Sequence, residues 1–281
     1  MKLSEISKKL KKSEHQGAFG ISNEIKDLPD VQQKKQAEAT SPEEVKPQIG
    51  WVSPSYAKSQ TVQLNPVILK KNRCIATFTD KPENEAYKVL RELIQQYAER
   101  HGGNTIMLTS ALPGEGKTLT AINLAFVFAR EFEQTVLLVD CDLKKQNIHT
   151  VLGFKGERGL VDYLLGQCAI TDLIIWPGVE KLTLISGGMT MEESSEILGS
   201  LRMKNLVEEM KNRYPNRYII FDVPPILTAS DAMVFANLVD QILVVVEADK
   251  TSMADLNAAL KMLPRDKIVG LVLNHKSGKI A

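Results

Sequence analysis

Cysteine is scarce. Cys74, Cys141 and Cys168 are the three in 281 residues, and no two form a Cys-x-x-Cys pair. That spacing argues against a disulfide framework, a structural zinc site and an iron–sulfur cluster, and it fits a reducing cytosol. An excess of one charge is lacking too. Thirty-five Lys and Arg against 34 Asp and Glu leave a formal net charge of +1, which gives no reason to expect nucleic acid as the main partner. No apolar run approaches the roughly 18 residues that a membrane-spanning helix needs, and the first residues carry no apolar signal core. These absences together predict a cytoplasmic protein.

With 43% hydrophobic residues, the chain can fill one sizeable α/β core and still have length for an extension. Residues 1–70 read as a flexible N-terminal extension and linker, and 71–281 as the folded domain. Gln32 to Pro47 is rich in Gln, Lys, Glu and Pro, with almost nothing to bury, as expected of a linker. Met1 to Lys12 sets Leu3, Ile6 and Leu10 at helical spacing among lysines. Such a stretch suits anionic lipid, a docking partner or a solvated tail. Trp51, Tyr56, Val62 and Leu64 form an arm apolar enough to lie on the domain surface.

Beyond the extension the pattern alternates. Cys74 to Thr79 reads as a short strand. Glu83 to Arg100 reads as a helix, with Ala86, Val89, Leu90, Leu93, Ile94 and Tyr97 at helical spacing. Further strands are expected at 105–109, 135–140, 182–185, 218–222, 241–246 and 268–273. Helical patterns fall at 119–125, 159–165, 170–175, 194–213, 229–238 and 253–263. Continuous apolar strands belong to a sheet covered on both faces, and their alternation with helices predicts a doubly wound, mostly parallel α/β sheet.

Ser110-Ala111-Leu112-Pro113-Gly114-Glu115-Gly116-Lys117-Thr118 lies between the first long strand and a helical pattern that starts at Leu119. Strand, glycine loop, Lys-Thr and helix are the context that a phosphate-binding loop requires. Gly114 and Gly116 let consecutive N–H groups point at phosphate oxygens, and the following helix adds its free N–H groups and positive dipole end. Lys117 would bridge the β- and γ-phosphates, and the Thr118 hydroxyl would ligate Mg²⁺. Pro113 to Leu119 is thus the candidate site for ATP.

Three carboxylates fall at or just past strand ends, where open α/β sheets bind ligands. Asp140 and Asp142 stand in Val139-Asp140-Cys141-Asp142-Leu143-Lys144, and Asp222 ends Tyr218-Ile219-Ile220-Phe221. A carboxylate beside a metal ion and a phosphoryl group can hold the ion or accept a proton from the attacking hydroxyl. Asp222 is assigned nearest to Mg²⁺. Asp140 is the candidate base and water orienter, also within reach of the ion, and Asp142 supports it.

Taken together these motifs resemble the bacterial tyrosine kinases of capsule and exopolysaccharide assembly, the stand-alone cytoplasmic type, within the wider group of Min- and Par-type P-loop ATPases. That family reads Ser-x-x-Pro-Gly-Glu-Gly-Lys-Ser/Thr, matched by Ser110 to Thr118. Its Asp-x-Asp-x-Arg corresponds to Asp140-Cys141-Asp142-Leu143-Lys144, with Lys in the Arg position, and its Asp-x-Pro-Pro to Asp222-Val223-Pro224-Pro225. The resemblance covers roughly 74 to 276. It implies an ATP-dependent phosphotransferase with Mg²⁺, activated by a membrane polysaccharide co-polymerase that would hold it at the inner face of the membrane. It also implies self-association through Glu85, Lys88 and Arg91, which stand where the family has Glu-x-x-Arg-x-x-Arg. In the wider group an Asn after the last core strand often hydrogen-bonds adenine, a role open to Asn274 beside the plainer one of closing a strand.

Two other readings stay open. No tyrosine follows Tyr218, so the terminal tyrosine cluster of the family has no counterpart, and a nucleotide-gated scaffold that phosphorylates nothing fits the same motifs. A Min- or Par-type positioning ATPase is the third. Its extra loop Lys corresponds to Leu112, which argues against it.

Overall fold

Four continuous apolar runs occupy the centre of the fold. The computed structural model describes residues 59–78, 81–214 and 216–275. The basic stretch Met1 to Lys12, the linker at 32–47, and Trp51 and Tyr56 lie outside them. The runs are β2 (Thr105–Ser110), β3 (Thr135–Asp140), β6 (Arg217–Asp222) and β7 (Gln241–Glu247), nearly every residue of which is buried. Strands buried on both faces need no polar alternation, which is why these read as unbroken hydrophobic stretches. With β1 (Gln60–Thr61), β4 (Ile175–Trp176), β5 (Leu182–Ile185) and β8 (Ile268–Asn274) they form one sheet of order β1-β4-β5-β3-β6-β2-β7-β8. Every pairing among the described residues is parallel except β4 with β5.

Side chains alternate across the sheet. Ile106, Leu108, Val136, Leu138, Ile220 and Leu243 join one core cluster with the helices α2 (Asn84–His101) and α3 (Lys117–Phe128). Nearly the whole length of α3 is buried, and Phe128 packs on Tyr218 with ring centroids 4.6 Å apart. On the other face, Leu137 and Ile185 share a cleft with Leu206 and Met210, and Phe221 meets Phe235 edge-on. Those partners come from α7 (Leu201–Arg213) and α8 (Asp231–Ala236), with α6 (Ser194–Leu198) beside α8. Each fully buried Leu, Ile or Phe contributes about 1.5–3 kcal/mol by leaving water, so the two faces together hold the sheet.

The doubly wound, mostly parallel arrangement is as expected from sequence, with local differences that have physical causes. The strand expected at Cys74 to Thr79, of which Thr79 lies outside the described residues, is replaced by a 3₁₀ turn at Ile75–Thr77, because the Asn123 side chain accepts from Ala76 N at 2.9 Å and takes up its donor. The long helix expected at 194–213 is two helices. Gly199 lies against Val234, where a Cβ would come within 2.9 Å of it, and Ser200 caps a new helix by accepting from Met203 N at 3.2 Å. The helical stretch expected around Ile170 to Ile175 is a 3₁₀ turn at Ile170–Leu173 followed by β4. Four strands and α-helices among the described residues have no counterpart in the sequence expectations. They are β1, β4, α1 (Pro66–Lys71) and α4 (Ile148–Leu152). The helix α1 has a recognisable start, with Asn65 accepting from Val67 N at 2.9 Å and Pro66 at its first position. The remaining helices are α5 (Leu160–Leu164) and α9 (Met253–Lys261).

No helix among the described residues is long and apolar enough to cross a membrane.

Candidate nucleotide site

The strand order reverses around β2, which lies between β6 and β7. Loops leaving the carboxyl ends of β2, β3 and β6 therefore converge, and a cleft of about 480 Å³ opens between them. Pro113, Gly114, Gly116, Lys117, Thr118 and Leu119 form its first wall. Gly114 and Gly116 have φ of 88° and 91°, a backbone state that Gly adopts without a Cβ penalty. Gly116 is also crowded: a Cβ there would stand 2.1 Å from Asn274 Nδ2.

Glu115 points away from this cleft. Its carboxylate is 2% exposed and accepts from Leu112 N at 2.7 Å, Glu247 N at 3.4 Å and the Thr251 hydroxyl. Asn274 Nδ2 donates to the Glu115 carbonyl at 2.9 Å. Both residues thus fix the shape of the loop from behind. Thr251 and Glu247 carry no motif, so nothing in the sequence pointed to them.

Lys117 and Thr118, both largely buried, begin α3 beneath the loop. The Lys117 ammonium lies 2.7 Å from Asp142 Oδ2 and 3.3 Å from Asp222 Oδ1. The Thr118 hydroxyl donates to Asp222 Oδ2 at 2.6 Å. Asp222 faces Asp140 across the β3–β6 register. Of the three carboxylates only Asp142 lines the cleft. Asp140 has no exposure; its Oδ1 accepts from Asp142 N at 3.2 Å, and its Oδ2 from Asn147 N and Ile148 N at 3.1 Å each. It therefore shapes the loop that carries Asp142.

These charges perturb one another. Burial pulls the Lys117 ammonium down, but Asp222, Asp142 and Asp140 outweigh it and hold the group above its ordinary range. Burial raises the Asp222 carboxyl, against Lys117 and the Thr118 hydrogen bond. Burial, then the charge of Asp222, pushes Asp140 up to about 7. A cluster with more carboxylates than cations attracts a further cation. No group of three or more His, Cys, Asp or Glu suited to a metal occurs among the described residues, so an ion here would rely on Thr118, Asp222, phosphate and water.

The far wall comes from Lys144, Lys145, Asn147 and Val151 after β3, and from Pro224, Pro225, Thr228 and Ala229 after β6. The loop after β6 is tied to the phosphate loop: Thr109 Oγ1 donates to Pro224 O at 2.7 Å, and Ile226 N to Ser110 O at 2.8 Å. Glu85, Lys88 and Arg91 lie apart from the cleft on α2. Lys88 pairs with Glu85 at 2.6 Å on the surface, while Arg91 reaches Glu131 at 2.5 Å and the Val127 carbonyl at 3.4 Å.

Residues 103–268 match the family model of the AAA domain. Tyrosine-protein kinase YwqD of Bacillus subtilis is 31% identical over 210 residues, covering 74% of this chain and 87% of that protein. Tyrosine-protein kinase wzc of Salmonella typhimurium is 29% identical over 192 residues, 68% of this chain but 26% of that longer protein. The kinase domain of Escherichia coli tyrosine kinase ETK matches with a TM-score of 0.63 and 28% identity, over 70% of this chain and 79% of that one. The septum site-determining protein MinD of Pyrococcus horikoshii, solved with Mg-ADP, matches with a TM-score of 0.51 and 26% identity, over 62% and 71%.

Proposed function

This chain belongs to the bacterial tyrosine-protein kinases, and from that premise we propose that it is an Mg-ATP-dependent tyrosine kinase of capsule or exopolysaccharide assembly. The observation that supports this most is Lys117, an ammonium held between Asp142 and Asp222 at the foot of a phosphate loop. The loop amides and Lys117 would cradle the phosphates and stabilise the charge that develops on the transferred group. Thr118 and Asp222 are the side chains suited to hold Mg²⁺, which when bound neutralises phosphate charge. Asp142, the carboxylate on the cleft wall, would accept the proton of the attacking phenol. Asp140, the base and metal neighbour expected from sequence, would instead fix the loop behind Asp142. Asn274 would act through the Glu115 carbonyl and Gly116 as a brace of the phosphate loop. A membrane polysaccharide co-polymerase is the proposed activator, which would place the chain at the inner membrane face. Glu85, Lys88 and Arg91 are the proposed self-association surface.

The test is incubation with Mg-ATP, with and without the cytoplasmic segment of such a co-polymerase, followed by mapping of phosphotyrosine. Lys117→Ala removes a charge needed at the transition state and should lower the rate on the order of 10²-fold or more. Unchanged turnover in that variant would overturn the assignment. ATP hydrolysis without phosphotyrosine, even with the partner, would favour a nucleotide-gated scaffold.

A further inference from the structure

Asp231 opens α8 with no exposure at all. One oxygen, Oδ1, accepts the Ser194 hydroxyl from the start of α6. The other, Oδ2, accepts no hydrogen bond among the described residues. It faces the Lys144 ammonium as an ion pair at 3.4 Å. A buried carboxylate left short of partners is costly, and a fold tolerates it where the charge has a task. Among the described residues its cationic partner is Lys144, a side chain 39% exposed that also lines the nucleotide cleft.

Lysine has a long flexible stem, and an exposed counter-ion would hold it weakly. Asp231 differs on both counts, being buried and fixed in turn by Ser194. Lys144 also stands two residues beyond Asp142, which is 2.7 Å from Lys117. A phosphate-loop lysine reaches the β- and γ-phosphates, so Asp142 marks the terminal-phosphate end of the cleft. Lys144, two residues further on, lines the same cleft, as do Pro225 and Thr228.

We propose that Lys144 contacts the terminal phosphate of bound ATP, and that Asp231, locked by Ser194, is the positioning residue that holds it there. This rests on the nucleotide reading above. Lys144 would then distinguish ATP from ADP, and Asp231 would act on nucleotide only through Lys144.

The experiment measures Mg-ATP and Mg-ADP affinity by calorimetry, with turnover alongside, for the full chain and for Lys144→Met, Lys144→Arg, Asp231→Asn and the Lys144→Met/Asp231→Asn double variant. Lys144→Met should weaken ATP about tenfold and leave ADP within about twofold, since only the contact to the terminal phosphate is lost. Lys144→Arg should restore most of the preference. Asp231→Asn should weaken ATP in the same sense in the parent, and add nothing in the Lys144→Met background, the result expected when one residue works through the other.

Equal loss of ATP and ADP affinity in Lys144→Met would overturn the contact to the terminal phosphate. An Asp231→Asn effect of the same size in both backgrounds would make Asp231 a structural residue alone. Failure of the unaltered chain to bind either nucleotide would instead sink the nucleotide assignment, and with it this inference.

Discussion

Asp140 has three backbone donors on its carboxylate and still titrates far above an ordinary aspartate, at about 7. The reason is that burial, with Asp222 opposite, disfavours the charged form more than the donors favour it. The folded state therefore binds a proton more tightly than the unfolded chain between the ordinary carboxylate range and pH 7. Stability of the nucleotide-free protein should fall as pH rises through that window, by on the order of a few kcal/mol at most. Urea unfolding at pH 5, 6 and 7.5 would show it as a declining midpoint. In Asp140→Asn the slope should flatten, whatever the absolute stability, because the amide does not titrate. A slope unchanged in that variant would mean that other groups supply it. Mg²⁺, by adding positive charge beside Asp222, should oppose the decline in the parent.

Asp240 governs where an element starts. It accepts from Asn104 N at 3.1 Å, Thr105 N at 3.2 Å and Thr105 Oγ1 at 2.7 Å, and it pairs with Lys211. The first residues of β2 are thereby tied to the turn before β7 and to the end of α7. Burial raises this carboxyl, but the Lys211 and Thr105 hydrogen bonds outweigh it and hold it below its ordinary value. Its contribution is therefore present above the ordinary carboxylate range and lost as pH falls through the lowered value. Asp240→Ala would strand several donors at the root of the central strand and should cost roughly 3 kcal/mol. The readout is a lower urea midpoint with nucleotide affinity retained under folded conditions; an unchanged midpoint would refute it. No sequence pattern announced Asp240, because the residues whose backbone donors it takes, Thr105 and Asn104, are 135 and 136 residues away. The same limit separates what could be read from what could not. Buried strands such as Thr135–Asp140 and the loop at Gly114 to Thr118 are local patterns, and both were legible. The break at Gly199-Ser200 depends on Val234 across the helix pair. The turn at Ile75–Thr77 depends on Asn123 in another helix. Asp142, not Asp140, lines the cleft because Asn147 and Ile148 fold back onto Asp140, a contact that alternation along one strand does not encode.

The whole fold extends further toward the N-terminus than composition suggested. Gln60 N donates to Ile174 O and Val62 N to Trp176 O, both at 3.0 Å, so β1 closes the far edge of the sheet. Leu69 on α1 is 5% exposed within the main core cluster, and Asn72 Nδ2 donates to Val151 O at 2.8 Å. Ile68 fills the space above Gly153, where an added Cβ would meet it at 2.8 Å. Through these contacts α1 supports α4, and α4 begins at Ile148, whose N–H is one of the donors on Asp140. Support at the sheet edge is thus linked to the loop that presents Asp142 and Lys144. A chain starting at residue 72 should therefore melt about 5–10 °C below one starting at 59, the shift expected when a few kcal/mol of packing is removed from a domain of this size. It should also bind Mg-ATP more weakly, since the loop from Asp142 to Ile148 loses the helix that backs it. A lower melting temperature with unchanged nucleotide affinity would confine α1 to a structural role. Equal melting temperatures would show that the edge contacts contribute little and that the working domain begins after Lys71.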